Sequence, residues 1–382
     1  MKHIPDDVLT AFYEASGLFA KIIDTPADEA LRNGFELICN DGPARELFHD
    51  VYESLNGDEL LITGIKRARL FGGCIAVMLI DDGRGIEEPL NLRRAKAIDG
   101  IKLYDRSLID FEEGDSGEPE RYSVYSKYGS FTVHKSRCLI FKNGVLPERA
   151  SNSIYKYWGA PEYLRIYDAV KDVEVSHGFI PELLNRFVQP IYKVKGLREI
   201  VSTEEGETML LQRIQALDVA RSMLNTVVID ANSEDYSFNS IELSGVADTI
   251  RKSFQYLSAV TSIPQRYLLG KYESDKKNTD DTSTEFYYNF IEQIQQKMLK
   301  SNLHHLATII LHIGKNTRTL SDVPSMRIKF RSLWQESEPE RVTAALMRAQ
   351  AQLERAKTMS AYHQAGAITS EEVRKTIERK GL

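Results

Sequence analysis

A charged segment between two long apolar-striped stretches most constrains how this chain can fold. Residues 243–262 and 284–313 carry apolar side chains at spacings of three and four, which predicts two helices. The second would run for about eight turns, so a large surface must cover its stripe. Pro264 breaks the helical pattern, and residues 271–281 are almost wholly polar or charged. We therefore expect a charged loop on two rigid supports, which suits a large partner better than a catalytic cleft.

Length and charge narrow the classes of function. The chain has 382 residues, which is long enough for two or more domains with hydrophobic cores. Of these residues, 42% are hydrophobic and 27% are charged. Its formal net charge is −6. Tight nucleic-acid binding normally needs a basic surface, so the overall charge argues against it. A mildly acidic chain can still lie beside DNA that has to slide past it.

The cysteines and the apolar runs bear on the cellular setting. Cys39, Cys74 and Cys138 are far apart and form no CxxC pair, which predicts reduced thiols in a cytosolic setting rather than disulfides or a zinc site. The first residues lack the apolar run of a signal peptide. No apolar run approaches the roughly 18 residues that a membrane span needs, so we expect no membrane partner.

The remaining pattern predicts an α+β fold. Residues 74–80 form an apolar run of strand length after Gly72 and Gly73, within an N-terminal α/β part. Residues 204–224 have a helical stripe. Residues 226–230 and 236–241 read as two strands that pair with each other around a polar turn.

Two sequence patterns could carry chemistry. The chain has no GxxxxGK[ST] sequence and therefore no P-loop. The acidic run that contains Asp81 and Asp82 follows a strand, and a turn is the favoured interpretation over a metal or phosphate site. His134 opens one His-x-Ser triplet. A two-histidine phosphodiesterase would need a second, facing triplet, which the sequence lacks.

The other histidines give no metal pattern. His304, His305 and His312 lie on the second long helix without the spacing of three or four plus a carboxylate that a metal site prefers. We expect them to be packed or exposed. The sequence thus predicts no catalytic residue, no metal site and no cofactor.

Several short motifs occur in an order that resembles bacteriophage portal proteins. Each motif is weak alone, and their shared order along most of the chain carries the resemblance. They are Ala20–Asp28, Arg32–Phe35, Arg69–Gly73, Val133–Phe141, Leu243–Gly245, Ile263–Pro264, Leu269–Gly270, Tyr287–Tyr288, Ile328–Phe330, Ser337–Glu340 and Gly366–Val373. The chain departs from the family in the charged loop, which has no glycine.

The resemblance implies a portal fold and a ring-forming subunit. Its parts would be an α/β wing, a helical stem, a small α/β clip and long C-terminal helices. The implied boundaries are 1–160 for the wing, 161–188 for stem helix 1, 189–242 for the clip, 243–262 for stem helix 2, 263–283 for the tunnel loop, 284–335 for the long helix and a wing strand, and 336–382 for C-terminal helices that form a reduced crown.

The resemblance also implies partners and a location. Portal proteins form rings, typically of twelve copies, at one capsid vertex, and their channel passes double-stranded DNA without sequence specificity. They bind the terminase large subunit, capsid and scaffolding proteins, and neck or adaptor proteins. The expected location is the virion, with host cytoplasm during assembly.

Two residue sets would carry these contacts. In the tunnel loop, Lys271, Lys276 and Lys277 would touch DNA. In the clip, Tyr192, Lys193 and Lys195 would touch terminase or an adaptor. Two other functions remain open from the sequence: a phosphodiesterase that uses His134, and a helical virion scaffold or adaptor without a DNA channel.

Overall fold

The computed structural model describes most of the chain up to residue 334. It covers residues 4–334 except 116, 128, 145–154, 156, 187, 225–228, 230, 231, 233, 241–243 and 271–279, together with single positions from 346 to 357. Nearly all of the predicted C-terminal helices, residues 336–382, therefore lie outside the described residues. The described part is an α+β fold, as the sequence predicts.

Helices and strands alternate irregularly along the chain. The helices are α1 Asp6–Ala15, α2 Gly17–Leu31, α3 Gly42–Ser54, α4 Gly57–Phe71, α5 Tyr163–Arg186, α6 Leu197–Ile200, α7 Glu204–Leu224, α8 Ser244–Thr261, α9 Gln265–Leu269, α10 Asp280–Ile294 and α11 Lys300–Asn316. The strands are β1 Phe35–Cys39, β2 Gly73–Asp81, β3 Ala97–Asp105, β4 Ile109–Glu113, β5 Pro119–Ser126, β6 Gly129–His134, β7 Cys138–Lys142, β8 Val188–Val194, β9 Glu234–Ser240 and β10 Met326–Phe330. No helix among these described residues is both long and apolar enough to cross a membrane.

Strand β2 lies at the centre of a three-stranded antiparallel sheet with the order β3-β2-β7. Alternate side chains of a strand point to opposite faces. Cys74 and Ala76 face the main core, whereas Ile75 and Val77 face a second core shared with the sheet β4-β5-β6. Because both faces are covered, the strand is apolar throughout rather than alternating, which explains why the sequence shows an unbroken run.

The longest helical segment crosses the main core. Helices α10 and α11 join through a π-helical turn, Gln295–Leu299, so the chain is helical from residue 280 to residue 316. Its buried side chains include Tyr287, Ile291, Leu299, Leu303, Leu306 and Ile310. At the π turn the buried Gln295 donates from Nε2 to the carbonyl oxygen of Ala30 at 2.8 Å. This ties the long helix to the end of α2.

Asn302 of α11 binds the backbone of β7, the strand at one edge of the β3-β2-β7 sheet. Its Oδ1 accepts from the N–H of Ile140 at 3.0 Å, and its Nδ2 donates to the carbonyl of Ile140 at 2.9 Å. Ile140 lies on β7, the edge strand, so these backbone groups have no neighbouring strand to bind. A buried amide thus replaces a missing strand and satisfies two groups that would be costly to bury alone.

A pair of helices carries a small α/β unit at one end. Helix α5 leads into β8, β9 leads into α8, and Val188 of β8 pairs with Ser240 of β9. The end of α5 therefore lies beside the start of α8, and the two helices run antiparallel. They pack through contacts such as His177 against Phe254, whose ring centroids are 5.6 Å apart.

The pairing of β9 differs from the sequence-based expectation. Its position, Glu234–Ser240, agrees with the predicted strand, but its partner is β8 rather than residues 226–230. Residues 226–228 and 230 lie outside the described part. Period and residue type identify a strand, whereas its partner depends on which backbone edges the tertiary fold brings together.

Substitution of Asn302 tests the role of the buried amide. Asn302→Ala should lower the free energy of unfolding by about 2–4 kcal/mol, because it leaves the N–H and C=O of Ile140 unpaired. Chemical denaturation measures the change. Ser301→Ala is the matched control, since Ser301 is exposed on the same helix and should change stability little. Equal effects of the two substitutions would contradict this role.

Candidate functional site

The predicted partner-binding residues lie in the small unit formed by β8, β9, α6 and α7. Strand β8 pairs Tyr192 with Tyr236 and Lys193 with Asp235. Lys193 Nζ lies 2.9 Å from Asp235 Oδ2, so its charge is matched across the strands. Lys195 follows β8 and is exposed, and it forms no ion pair with a described carboxylate. The structure thus places the three predicted residues together, but only Lys195 presents an unmatched charge.

Glu234 holds this unit together. The O–H of Tyr192 donates to Glu234 Oε1. Arg213 of α7 donates from Nε to Oε1 at 3.1 Å and from Nη2 to Oε2 at 2.8 Å. Desolvation, followed by the hydrogen bond to Glu234, raises the pKa of Tyr192. Tyr192 is therefore a structural link between β8, β9 and α7.

The same unit exposes apolar side chains on α6 and α7. Met209 is 71% exposed and Val219 is 57% exposed, although Leu217 is buried. The other exposed apolar residues here are Leu197, Val201, Leu211 and Ile214. A unit of this size cannot cover every face of a helix as long as α7. Exposed apolar surface on such a unit is typical of protein–protein contact.

The structure describes the supports of the charged loop but not its lysines. Lys271, Lys276 and Lys277 lie outside the described residues. Helix α9 ends at Leu269 and is followed by Gly270, whose φ of 66° is in the left-handed region that favours glycine. Arg266 of α9 donates from Nη2 to Thr284 Oγ1 of α10. The two ends of the segment are therefore held by contacts between α9 and α10.

Aromatic contacts strengthen this junction. The rings of Tyr267 and Tyr287 are 4.6 Å apart between centroids, and the Tyr288 hydroxyl lies 3.4 Å from that of Tyr267. Arg32, which directly follows α2, lies over the Tyr288 ring at 5.5 Å. The supports of the loop are thus fixed to the main core.

Hydrogen bonds also fix the turn between α8 and α9. Ser262 adopts a φ of 59°, which is uncommon for a residue with a side chain. Thr261 Oγ1 accepts from the N–H of Ile263 at 3.3 Å, and Ser258 Oγ donates to the carbonyl of Ile263 at 2.7 Å. These bonds set the direction in which α9 leaves the helix pair.

His134 is a structural residue at the end of β6. It is only 7% exposed. Its Nδ1 lies 2.9 Å from Ser136 Oγ and accepts from the N–H of Ser136 at 3.2 Å. The nearest carboxylate, Glu120, is 3.8 Å from Nε2. Burial lowers the pKa of His134, which the Glu120 carboxylate opposes.

A second histidine contacts the same turn. His305 of α11 bonds through Nε2 to the carbonyl oxygen of Ser136 at 2.9 Å. One histidine therefore binds the side chain and N–H of Ser136, and the other binds its carbonyl. This arrangement fixes a turn and does not favour the phosphodiesterase interpretation.

Groups of the protein itself bind both oxygens of the Asp82 carboxylate. It is 1% exposed and accepts two bonds from Arg137 Nη2, at 2.9 and 2.8 Å. The N–H groups of Asn91 and Arg84 donate to it at 2.8 and 3.2 Å. Desolvation raises the pKa of Asp82, but these bonds outweigh it, so the pKa is lowered. No group of three or more metal-ligating side chains occurs among the described residues.

The effect of pH should reveal the partly buried state of His305. Burial lowers its pKa below the ordinary value of about 6.5, so the folded chain favours the neutral ring. Below that pH the unfolded chain binds a proton that the folded chain resists, and stability falls as pH drops through the folded pKa. Above it, the group contributes nothing to the slope.

The variant His305→Gln should therefore flatten the fall in thermal midpoint as the pH drops below about 6.5. His49→Gln is the control for loss of a histidine, since His49 is exposed on α3. A wild-type slope in His305→Gln would contradict the assignment.

Comparisons with known proteins agree with this architecture. The family model described as "Phage portal protein" matches residues 8–353. The chain is 24% identical over 363 residues to a protein of Caulobacter sp. (strain RHG1) named Anti-CBASS protein Acb1, covering 90% of this chain and 57% of that one. A protein of the same name from Sphingomonas paeninsulae is 24% identical over 320 residues, covering 79% and 50%. The chain thus spans about half the length of these relatives.

The fold is shared by a chain of known structure. It is a chain in the neck of the native gene transfer agent (GTA) particle, computed with C12 symmetry. The TM-score is 0.53 at 12% sequence identity, with 98% of this chain and 93% of that chain covered.

Proposed function

The chain belongs to the phage portal protein family, and we propose that twelve copies of it form the ring at one capsid vertex. The ring would be the channel for genome packaging and ejection. It would also be the docking site for the terminase large subunit, capsid and scaffolding proteins, and neck or adaptor proteins. The observation that carries the proposal is the family match over residues 8–353. The proposed role is mechanical rather than enzymatic, in the virion and, during assembly, in host cytoplasm.

The observed elements support an assignment of the parts. Residues 1–160 with β10 would be the wing, and the antiparallel helices α5 and α8 the stem. The unit that contains β8, α7 and β9 would be the clip, at the far end of that stem. Residues 263–283 would be the tunnel loop, and the long helix would support it from behind.

Ring closure requires two different surfaces on each subunit that meet by rotation. Exposed apolar side chains on the proposed stem and clip are suitable for one of them. On α5, Phe179 is 53% exposed and Val175 is 45% exposed, and on α7 Met209 is 71% exposed. In a ring these side chains would be covered by the neighbouring subunit, which would offset their cost in the monomer.

The charge of the chain suits a channel that must release DNA. Each subunit carries a net charge of −6, so the protein as a whole does not attract phosphate. Firm neutralisation of many phosphates would oppose sliding. A few lysines on a loop, mixed with carboxylates, would make contacts that break easily.

Neutralisation of the loop lysines tests the channel. The triple variant Lys271→Gln, Lys276→Gln and Lys277→Gln should still form rings but should reduce the length of packaged DNA or its retention. Nuclease-protected DNA in purified particles measures both. The control is Lys297→Gln, Lys300→Gln and Lys329→Gln, three exposed lysines with the same change of charge. Normal packaging and retention in the loop variant would favour an adaptor without a channel.

Charge reversal at the clip tests motor docking. Lys195→Glu should weaken binding of the terminase large subunit, because Lys195 is exposed and unmatched by a described carboxylate. Co-sedimentation with rings measures binding, and Lys195→Arg should retain it. Lys193→Glu is a different case, since it places a carboxylate against Asp235 and should disturb the β8–β9 pair. Unchanged docking of Lys195→Glu would contradict the clip assignment.

A further inference from the structure

The connection between β2 and β3, residues 82–96, is rigidly attached to the protein. The N–H of Leu90 donates to Ser136 Oγ at 2.8 Å, and Arg137 Nε donates to the carbonyl of Glu88 at 3.0 Å. The N–H of His134 donates to the carbonyl of Ile86 at 3.1 Å. Together with the bonds to Asp82, these contacts fix the connection along most of its length.

The connection ends in a hydrogen-bonded turn that carries two exposed arginines, Arg93 and Arg94. The Asn91 carbonyl accepts from the N–H groups of Arg94 and Ala95 at 2.9 and 3.1 Å, and Asn91 Oδ1 accepts from the N–H of Arg93 at 3.2 Å. Asn316 at the end of α11 donates from Nδ2 to the carbonyls of Leu92 and Ala95, at 2.7 and 2.8 Å. Ala95 is fully buried, whereas both arginines are exposed.

Positive charge collects at this position. Neither Arg93 nor Arg94 forms an ion pair with any described carboxylate, and Lys96 lies 3.6 Å from Asp81. Arg318 follows Asn316 by two residues, is exposed, and likewise has no described ion-pair partner. We call Arg93, Arg94, Lys96 and Arg318 the basic turn.

Three other arginines of the same α/β part are paired with carboxylates instead. Arg67 pairs with Asp105 at 3.2 Å, and Arg106 pairs with Asp6 at 2.7 Å. Arg121 lies 3.6 Å from Glu112 on the neighbouring strand. The net charge of −6 means that the chain has more carboxylates than lysines and arginines. Even so, no described carboxylate forms an ion pair with the arginines of the basic turn.

We propose that the basic turn is a docking site for a carboxylate-rich segment of another protein. A guanidinium binds a carboxylate through two parallel hydrogen bonds, and a rigid backbone reduces the entropy lost on binding. The turn is small, and the chain as a whole is acidic. A nucleic acid needs a longer basic track to overcome such a field, so an acidic peptide fits better. This inference goes beyond the proposed ring and channel and does not depend on them.

Binding of a defined acidic probe to the full chain tests the proposal. The probe is a short fluorescein-labelled peptide of alternating glutamate and alanine, and fluorescence anisotropy measures its affinity. The double variant Arg93→Glu and Arg94→Glu should bind at least about tenfold more weakly than the wild type. Binding to the wild type should weaken markedly between about 0.05 and 0.3 M salt, because the contacts are exposed.

The control variant separates the turn from overall charge. Lys297→Glu with Lys300→Glu makes the same change of net charge on exposed positions of the long helix and should leave peptide affinity within about twofold of wild type. The affected arginines are exposed, so the thermal midpoint should stay that of the wild type. If the double variant fails to fold, the single variant Arg318→Glu should show a weaker loss of the same kind.

Two outcomes would overturn the proposal. Equal losses of peptide binding in the turn variant and the long-helix variant would mean that the probe senses only net charge. Tighter binding of a DNA duplex than of the peptide, lost in the turn variant, would make the turn a nucleic-acid site instead.

Discussion

Burial of the long helix at residues 280–316 is the interaction on which the rest of the described structure depends. Side chains of this one helix bind several separate parts of the fold. Gln295 binds the end of α2, Asn302 completes the edge of β7, His305 holds the turn before β7, and Asn316 fixes the β2–β3 connection. Its apolar side chains fill the main core between these polar contacts. The long helix therefore fixes the supports of the charged loop at one end and the basic turn at the other.

The polar groups that first suggest chemistry turn out to be used within the fold. Asp82 is saturated by Arg137 and two backbone N–H groups, and His134 by Ser136. Removal of one partner from such a buried pair leaves an uncompensated polar group, so these residues hold the structure rather than a substrate. The surfaces left for function are exposed apolar side chains on α5 and α7, and charges such as Lys195. That distribution suits a protein that works through contacts with large partners.

Sequence reasoning succeeded where one local period decides the outcome. Helix α7 spans the predicted Glu204–Leu224, and the long helix extends the predicted 284–313 by a few residues at each end. It failed for the partner of β9, because strand pairing depends on contacts distant in sequence. It named Tyr192, Lys193 and Lys195 as partner-binding residues, which stays a prediction. It missed Glu234 and Arg213, which become neighbours of Tyr192 only once the register of β8 and β9 is known. Lys271, Lys276 and Lys277 stay predictions.

Electron microscopy of the purified chain in negative stain tests for a ring with an open channel. A portal ring would give ring-shaped particles of several hundred kilodaltons with a central hole and rotational symmetry, either alone or after addition of capsid and scaffolding proteins. Monomers under all of these conditions, or closed particles without a hole, would contradict it.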